Sequence, residues 1–295
     1  MSESELNDRG LMYEYIINNS SFLELEANYI DNDTGIKLQT LRDISTVIFG
    51  SNDETKNETI YTQKTDDRIY AGKGHDTIIA WDGNNLYDGG EGNDTVSYKT
   101  LQSKEGININ LSLVTAQAIN STTTDTLVNI ENLIGSKYSD TIYGSSFDVT
   151  TLEGEKKTHI LEGYEGSDKI YGAYNSVNVI YGDKKEEPFG SSGIFDFGSN
   201  RDDYGNIIEY DDWLYGGKTT DVQLLASGNL TQNILFGGEG SDYLRVGWNA
   251  DNFLYGGAGD DILNSSLIGF KHESAGIDYS KGSSYLNGGE GFDTY

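Results

Sequence analysis

The sequence predicts an all-β fold in which short strands stack as coils, and three observations carry that expectation. A nine-residue period runs from Glu58 to Val96, and a glycine-rich phrase ending in aspartate recurs through the chain. There are also 37 glycines against a single proline. Glycine suits tight turns between many short strands. The apolar fraction of 36% is low for a conventional core, yet it suffices for coils that each bury only a thin interior row.

Four stretches spell G-G-x-G-x-D: Gly89-Gly90-Glu91-Gly92-Asn93-Asp94, Gly237-Gly238-Glu239-Gly240-Ser241-Asp242, Gly256-Gly257-Ala258-Gly259-Asp260-Asp261 and Gly288-Gly289-Glu290-Gly291-Phe292-Asp293. Each is followed by a spacer and then an apolar or aromatic residue (Val96, Leu244, Leu263, Tyr295). Two near copies are Ala71-Gly72-Lys73-Gly74-His75-Asp76 and Gly163-Tyr164-Glu165-Gly166-Ser167-Asp168. The unit resembles the calcium-binding nonapeptide of the RTX, or haemolysin-type, repeat family. That resemblance implies a parallel β-roll (a β-solenoid) with Ca²⁺ held in its turns by the glycines and aspartates of these copies. It also implies export from bacteria by the type I route, through contacts with a secretion apparatus made outside this chain.

From Glu58 the apolar residue of each nine-residue unit (Ile60, Ile69, Ile78, Tyr87, Val96) recurs in register. Two units make one coil of a parallel roll, and coils stack at about 4.8 Å, so these residues should form interior columns. Before that block, residues 1–52 carry no repeat and read as a small mixed cap over the first open edge. In it, a helix is expected around Leu11–Ile16, a strand over Phe22–Ile30, a turn at Asp31–Gly35, and helical spacing again at Leu41, Ile44, Val47 and Ile48. The first repeat block spans 53–97. Degenerate spacer strands occupy 98–139, including the alternating run Ile107–Leu111 and the phrase Asn129-Ile130-Glu131-Asn132-Leu133-Ile134-Gly135. A second block covers 140–182 and slips by one residue at Asn178-Val179-Ile180. Residues 183–211 read as an extruded loop holding Pro188, and 212–295 form a third block that stops at Tyr295, within a repeat.

Calcium takes six to eight oxygen ligands at roughly 2.3–2.6 Å. One glycine-rich loop offers about half of such a shell, so a complete site needs two loops one coil apart on one edge. Asp76 and Asp94 are eighteen residues apart and meet that condition. Asp67 and Asn85 share the spacing, but Thr62–Asp66 contains no glycine, so that edge should be empty or weak. Asp242 and Asp261 are nineteen apart, which a bulge near Trp248 or Asn249 would absorb. Asp293 pairs with Asp261 only if part of 264–283 loops outward, and Asp168 has no well-spaced partner. The expectation is on the order of two to four ions. The same glycines and aspartates also suit a metal-free solenoid whose turns they merely shape. Tyrosines after the interior position (Tyr61, Tyr70, Tyr143, Tyr171, Tyr181, Tyr215, Tyr255) suit stacking between coils, or alternatively a carbohydrate-binding strip.

The net charge of −28 excludes unaided nucleic-acid binding and calls for a cation partner, because so many carboxylates otherwise repel one another. There is no cysteine, hence neither disulfide nor thiol chemistry. The acidic opening Met1-Ser2-Glu3-Ser4-Glu5 is no signal peptide, and no apolar run is long enough to span a bilayer. The chain reads as a fragment of a longer exported protein, secreted or at the cell surface. His75, His159 and His272 lack zinc-ligand spacing, His75 and His159 read as solvent-facing turn residues, and neither H-E-x-x-H nor G-x-S-x-G occurs. The functional expectation is therefore not an enzyme but calcium binding that couples folding to extracellular calcium in a toxin- or adhesin-like protein with an unidentified host or cell-surface partner. Two alternatives stand beside it: an adhesive or structural surface module with constitutive calcium, and an accessory module of a secreted enzyme whose catalytic domain lies elsewhere.

Overall fold

The computed structural model describes residues 45, 47–145, 157–183, 211–216, 230–265 and 282–295. Their regular structure is all β, arranged as a parallel roll between two walls. One wall is a nine-stranded sheet in the order β2 (Thr59–Tyr61), β4 (Thr77–Ile79), β6 (Thr95–Ser97), β10 (Asn132–Ile134), β12 (Thr158–Tyr164), β14 (Val177–Asp183), β16 (Thr231–Glu239), β18 (Ala250–Ala258), β20 (Ser284–Glu290). The opposite wall is split. Its first half holds β1 (Val47–Phe49), β3 (Arg68–Lys73), β5 (Leu86–Glu91), β9 (Thr124–Val128) and β8 (Gln117–Ala118). Its second half runs β7 (Asn108–Asn110), β11 (Thr141–Tyr143), β13 (Lys169–Tyr171), β15 (Trp213–Tyr215), β17 (Tyr243–Arg245), β19 (Ile262–Asn264). Named strands pair in parallel except β8 with β9.

Register follows the interior residue of each unit. On the long sheet Ile60, Ile78, Val96, Leu133, Leu161, Ile180, Leu235 and Leu254 meet side by side. Facing them are Ile69, Tyr87 and Leu127, then Ile109, Ile142, Ile170, Leu214, Leu244 and Leu263. All belong to one buried core. In-register parallel partners project to the same side, so both half-walls cover one face of the long sheet. Each fully buried aliphatic side chain contributes about 1.5–3 kcal/mol, which is how a chain of low apolar content keeps a continuous core.

The one-residue slips fall in the turns. Leu161 to Ile170 and Leu235 to Leu244 are nine residues, whereas Ile170 to Ile180 and Leu244 to Leu254 are ten. Those longer turns contain Asn175 (φ 56°) and Asn249 (φ 47°), left-handed positions that asparagine tolerates. The expected bulge at Asn249 is there. The thirty-two-residue coil also forms, with Leu254 opposite Leu286 and Gly257 opposite Gly289.

Two expectations change. Val47 and Ile48, read as helical, lie in strand β1, where Ile48 pairs with Ile69 in the interior row and Phe49 stacks on Tyr70 at 5.2 Å. Their spacing was equally compatible with alternation, and pairing with β3 decides it. The helix, strand and turn expected within 1–44, and residues 184–210 of the loop expected at 183–211, lie outside the described residues; Asp183 itself ends strand β14. The outer tyrosines stack as anticipated: Tyr143, Tyr171 and Tyr215 lie ring on ring at 4.6 Å, and Tyr181, Phe236 and Tyr255 at 5.1 Å. Tyr61 is an exception, since Ile79 stands opposite it.

Candidate metal centres

Each strand is entered through a polar residue two positions before the interior one, and these residues form columns. Where the chain enters the long sheet, the N–H of Glu58 donates to Asp76 Oδ1 and that of Asp76 to Asp94 Oδ1, both at 2.8 Å; Asp94 N–H donates to Glu131 Oε2 at 2.9 Å. The column then loses its acids. His159 aligns with Asn178, and the Asn178, Asn233 and Asn252 amides bond to one another at 2.9 and 2.8 Å. Where the chain leaves the long sheet the order is reversed. Asp67 and Asn85 N–H groups donate to Asn85 and Asp125 at 2.8 Å, and beyond them runs a column of aspartates. Asp140, Asp168, Asp212, Asp242 and Asp261 each donate from the backbone to Oδ1 of the next, ending on Asp293, at 2.7–3.2 Å.

The second carboxylate oxygen separates these positions. Oδ2 of Asp76, Asp94, Asp168, Asp212, Asp242 and Asp261 is buried without a hydrogen-bond partner. By contrast Gln63 N–H donates to Asp67 Oδ2 at 2.7 Å and the Tyr98 hydroxyl to Asp125 Oδ2 at 2.9 Å. An unsatisfied buried carboxylate oxygen is costly, so a recurring series of them calls for a common explanation.

The missing partner has a place. A Cβ added to Gly237 would lie 2.2 Å from Asp242 Oδ2 and 2.4 Å from the Gly256 carbonyl oxygen. The same pair of oxygens closes on Gly163 (Asp168 Oδ2, Gly182 O), Gly182 (Asp212 Oδ2, Gly237 O) and Gly256 (Asp261 Oδ2, Gly288 O). On the other edge Asp94 Oδ2 and Asn129 O close on Gly89. The second glycine of the motif serves the stack itself: Gly257 has φ 122°, and a Cβ there would come within 2.0 Å of Gly238 O.

Electrostatics agrees. Burial, then the Asp212 charge, pushes Asp242 up to about 10. Burial, then the neighbouring Glu131 and Asp76 charges, lifts Asp94 to about 6, and burial, then the Asp293 charge, lifts Asp261 to about 6. Asp212 is driven well above the carboxylate range by burial and Asp168. In the Asp140–Asp168 pair both are raised, chiefly by burial. Among the described residues no three His, Cys, Asp or Glu side chains converge as a metal-binding group, so a cation must draw on main-chain carbonyls as well as carboxylate. An all-oxygen donor set of this kind suits Ca²⁺.

The structure brings together Gly72–Asp76 with Gly89–Asp94, with Gly72 opposite Gly90. It also unites the Gly237, Gly256 and Gly288 turns, with Gly238, Gly257 and Gly289 in one row. The turn of Gly163, Gly166 and Asp168 is not isolated, as its spacing suggested. Asp168 stands between Asp140 and Asp212, at twenty-eight and forty-four residues, because those coils carry insertions that hide the neighbours in the sequence. Residues missed by motif reading are Asp212 and Asp140. Their signal was the D-x-U phrase of Asp140-Thr141-Ile142 and Asp212-Trp213-Leu214, which survives without a full glycine loop. His159 is a second correction: it is buried, not solvent-facing, because it starts β12 on the inward side, with Nδ1 2.7 Å from Glu131 O. His75 is exposed, and its Nδ1 accepts the Asn93 N–H at 2.9 Å.

The family model for the RTX calcium-binding nonapeptide repeat matches four stretches, residues 61–96, 129–146, 227–263 and 249–267. No curated protein matches the chain. These stretches contain the turns with unpartnered carboxylate oxygens at Asp76, Asp94, Asp242 and Asp261, and RTX nonapeptides bind Ca²⁺. The described residues thus form a parallel β-roll, and the chain carries RTX calcium-binding repeats in four copies.

Proposed function

We propose that this chain is a folding switch operated by calcium, part of an exported bacterial protein of the toxin or adhesin kind, in which Asp76, Asp94, Asp168, Asp212, Asp242 and Asp261 hold Ca²⁺ together with glycine-turn carbonyls. The observation that carries the reading is the set of buried Oδ2 atoms without a partner, of which those of Asp94, Asp168, Asp212, Asp242 and Asp261 lie beside a carbonyl of the next coil. When bound, Ca²⁺ supplies the positive charge that lets closely stacked carboxylates stay ionised. The chain does the rest: Oδ1 of each aspartate fixes coil register, Oδ2 faces the cradle, and glycine leaves the cradle open.

The pairing of oxygens across coils exists only in the folded chain, so a ligand of those oxygens stabilises the folded state by RT ln(1 + [L]/Kd) per site. A chain of charge −28 has little reason to compact where calcium is scarce. It would fold in the calcium-rich exterior, hence secreted or on the cell surface. The role is binding rather than catalytic, since the raised carboxylates face main-chain carbonyls of their own neighbours.

Circular dichroism and calorimetry of the metal-stripped chain titrated with Ca²⁺ test this. Several ions binding with a gain of β-structure is the expected result. Full β-structure before calcium, unchanged after it, would sink the switch and favour an adhesive or structural module.

A further inference from the structure

We infer that the middle of the roll, Tyr98 to Gly144 with Lys157, folds without metal and that the glycine-rich blocks on either side assemble onto it only when metal is present. This rests on the calcium reading above and assigns its order.

The first ground is where the chain meets its own carboxylates' needs. Glu131 ends the acidic column of the first block with its side chain 5% exposed; its Oε2 accepts the Asp94 N–H and its Oε1 pairs with Lys157 Nζ at 2.7 Å. The ammonium group thus supplies, covalently, the cation that the column would otherwise take from solution. Asp125 divides its oxygens between Asn85 N–H and the Tyr98 hydroxyl, at 2.8 and 2.9 Å. Asp140 Oδ1 accepts from Ile107 N–H at 2.7 Å and from Ser136 Oγ at 2.8 Å, and its Oδ2 accepts the Ser136 N–H. On both sides of this region stand the aspartates whose Oδ2 is buried and unpartnered.

The second ground is packing. Tyr98, Ile107, Ile109, Ile119 and Leu127 are fully buried here, with Tyr98 edge-on to Tyr87 at 6.5 Å. Outside this region the buried companions of the interior residue are mostly smaller: Ala71 beside Ile69, Ala80 beside Ile78, Ala173 beside Ile170 and Val246 beside Leu244. The antiparallel pair β8–β9, Gln117 opposite Asp125, is also local in sequence, so little loop entropy opposes it. In stacked repeats, stability is the sum of each unit's own contribution and its interfaces with neighbours. A segment that satisfies its charges and buries extra apolar surface is therefore the one that forms first.

Hydrogen exchange read by mass spectrometry on the full chain, metal-stripped and then with Ca²⁺, tests this. Without metal, the amides of Asn108, Leu111, Ile119 and Thr141, which donate to the Ile119, Tyr143, Thr123 and Ile107 carbonyls of this same region, should exchange at least about tenfold more slowly than those of β16 to β19, and Ca²⁺ should protect both. If the middle exchanges as fast as the blocks without metal while Ca²⁺ protects everything, the nucleus is overturned and the calcium reading survives. If Ca²⁺ changes nothing at β16 to β19, the calcium reading fails and takes this inference with it. Lys157→Met, which leaves Glu131 without its cation, should speed metal-free exchange of those same four amides about tenfold and leave calcium protection of β16 to β19 intact. Unchanged exchange there would remove Lys157 from the account.

Discussion

The backbone N–H of Asp212 donates to Asp242 Oδ1 at 2.8 Å across thirty residues of sequence, while Oδ2 of that same carboxyl group is buried with no partner. One oxygen holds coil register and the other awaits a ligand, so the two roles can be separated by substitution. Asp242→Asn keeps an acceptor for Asp212 and sets an amide beside the Gly256 carbonyl. It should remove at least one Ca²⁺ by calorimetry while the remaining ions still bind. Asp242→Ala should lose the ion and, in melts at saturating Ca²⁺, about 1–3 kcal/mol more than Asp242→Asn loses.

The two kinds of aspartate in the first block should differ likewise. Asp67 Oδ2 accepts the Gln63 N–H of its own turn, and Asp94 Oδ2 is buried without a partner. Asp67→Ala should lower the Tm at saturating calcium and leave the ion count unchanged. Asp94→Ala should remove an ion. Equal ion loss in both variants would contradict the distinction.

Stability should respond to pH in opposite senses with and without metal. Asp94 rises from 3.8 to about 6 and Asp242 to about 10, so the folded metal-free chain keeps protons that the unfolded chain releases. That contribution is complete below pH about 4 and is lost as pH climbs through the folded values. Metal-stripped protein should therefore be most structured near pH 4 and lose β-structure by circular dichroism as pH climbs from about 5 to 8. With saturating Ca²⁺ the ligands must be deprotonated, and Tm should rise over the same interval.

Gly257 stacks directly on Gly238, with φ 122° and a Cβ position 2.0 Å from a carbonyl oxygen. Gly257→Ala should cost more than the roughly 1–3 kcal/mol of a strained backbone, because the coils must also part. Tm in calcium should drop sharply and the ions at Asp242 and Asp261 be lost together.

Tyr171 lies between Tyr143 and Tyr215 at 4.6 Å on either side. Tyr171→Ala should cost about 0.5–1.5 kcal/mol for each lost ring pair, with no change in calcium stoichiometry. The faces of these rings cover one another, which leaves edges rather than faces to solvent. That geometry favours the stacking role over a carbohydrate-binding strip.

Period and motif were enough to place the interior rows, the Asp76–Asp94 pairing, the bulge at Asn249 and the pairing of Asp261 with Asp293, since each follows from local spacing. What escaped was everything that depends on coils of unequal length. Asp140, Asp168 and Asp212 form one column, yet their separations obey no period because these coils contain extra residues, 146–156 between the first two and 184–210 between the last two. Glu131 escaped for a different reason. Its partner Lys157 belongs to the next coil, and a single sequence does not say which cation faces which acid.

The change of edge in the acidic columns has a mechanical consequence. Acidic turns lead into the long sheet as far as Glu131, and lead out of it from Asp140 onward. Each half of the roll is clasped along one side only, and the clasped sides are opposite. Like a book bound along its left margin for the first chapters and its right for the last, it would come apart by splaying in two contrary directions, so that loss of its fastenings twists the molecule about its centre instead of bending it.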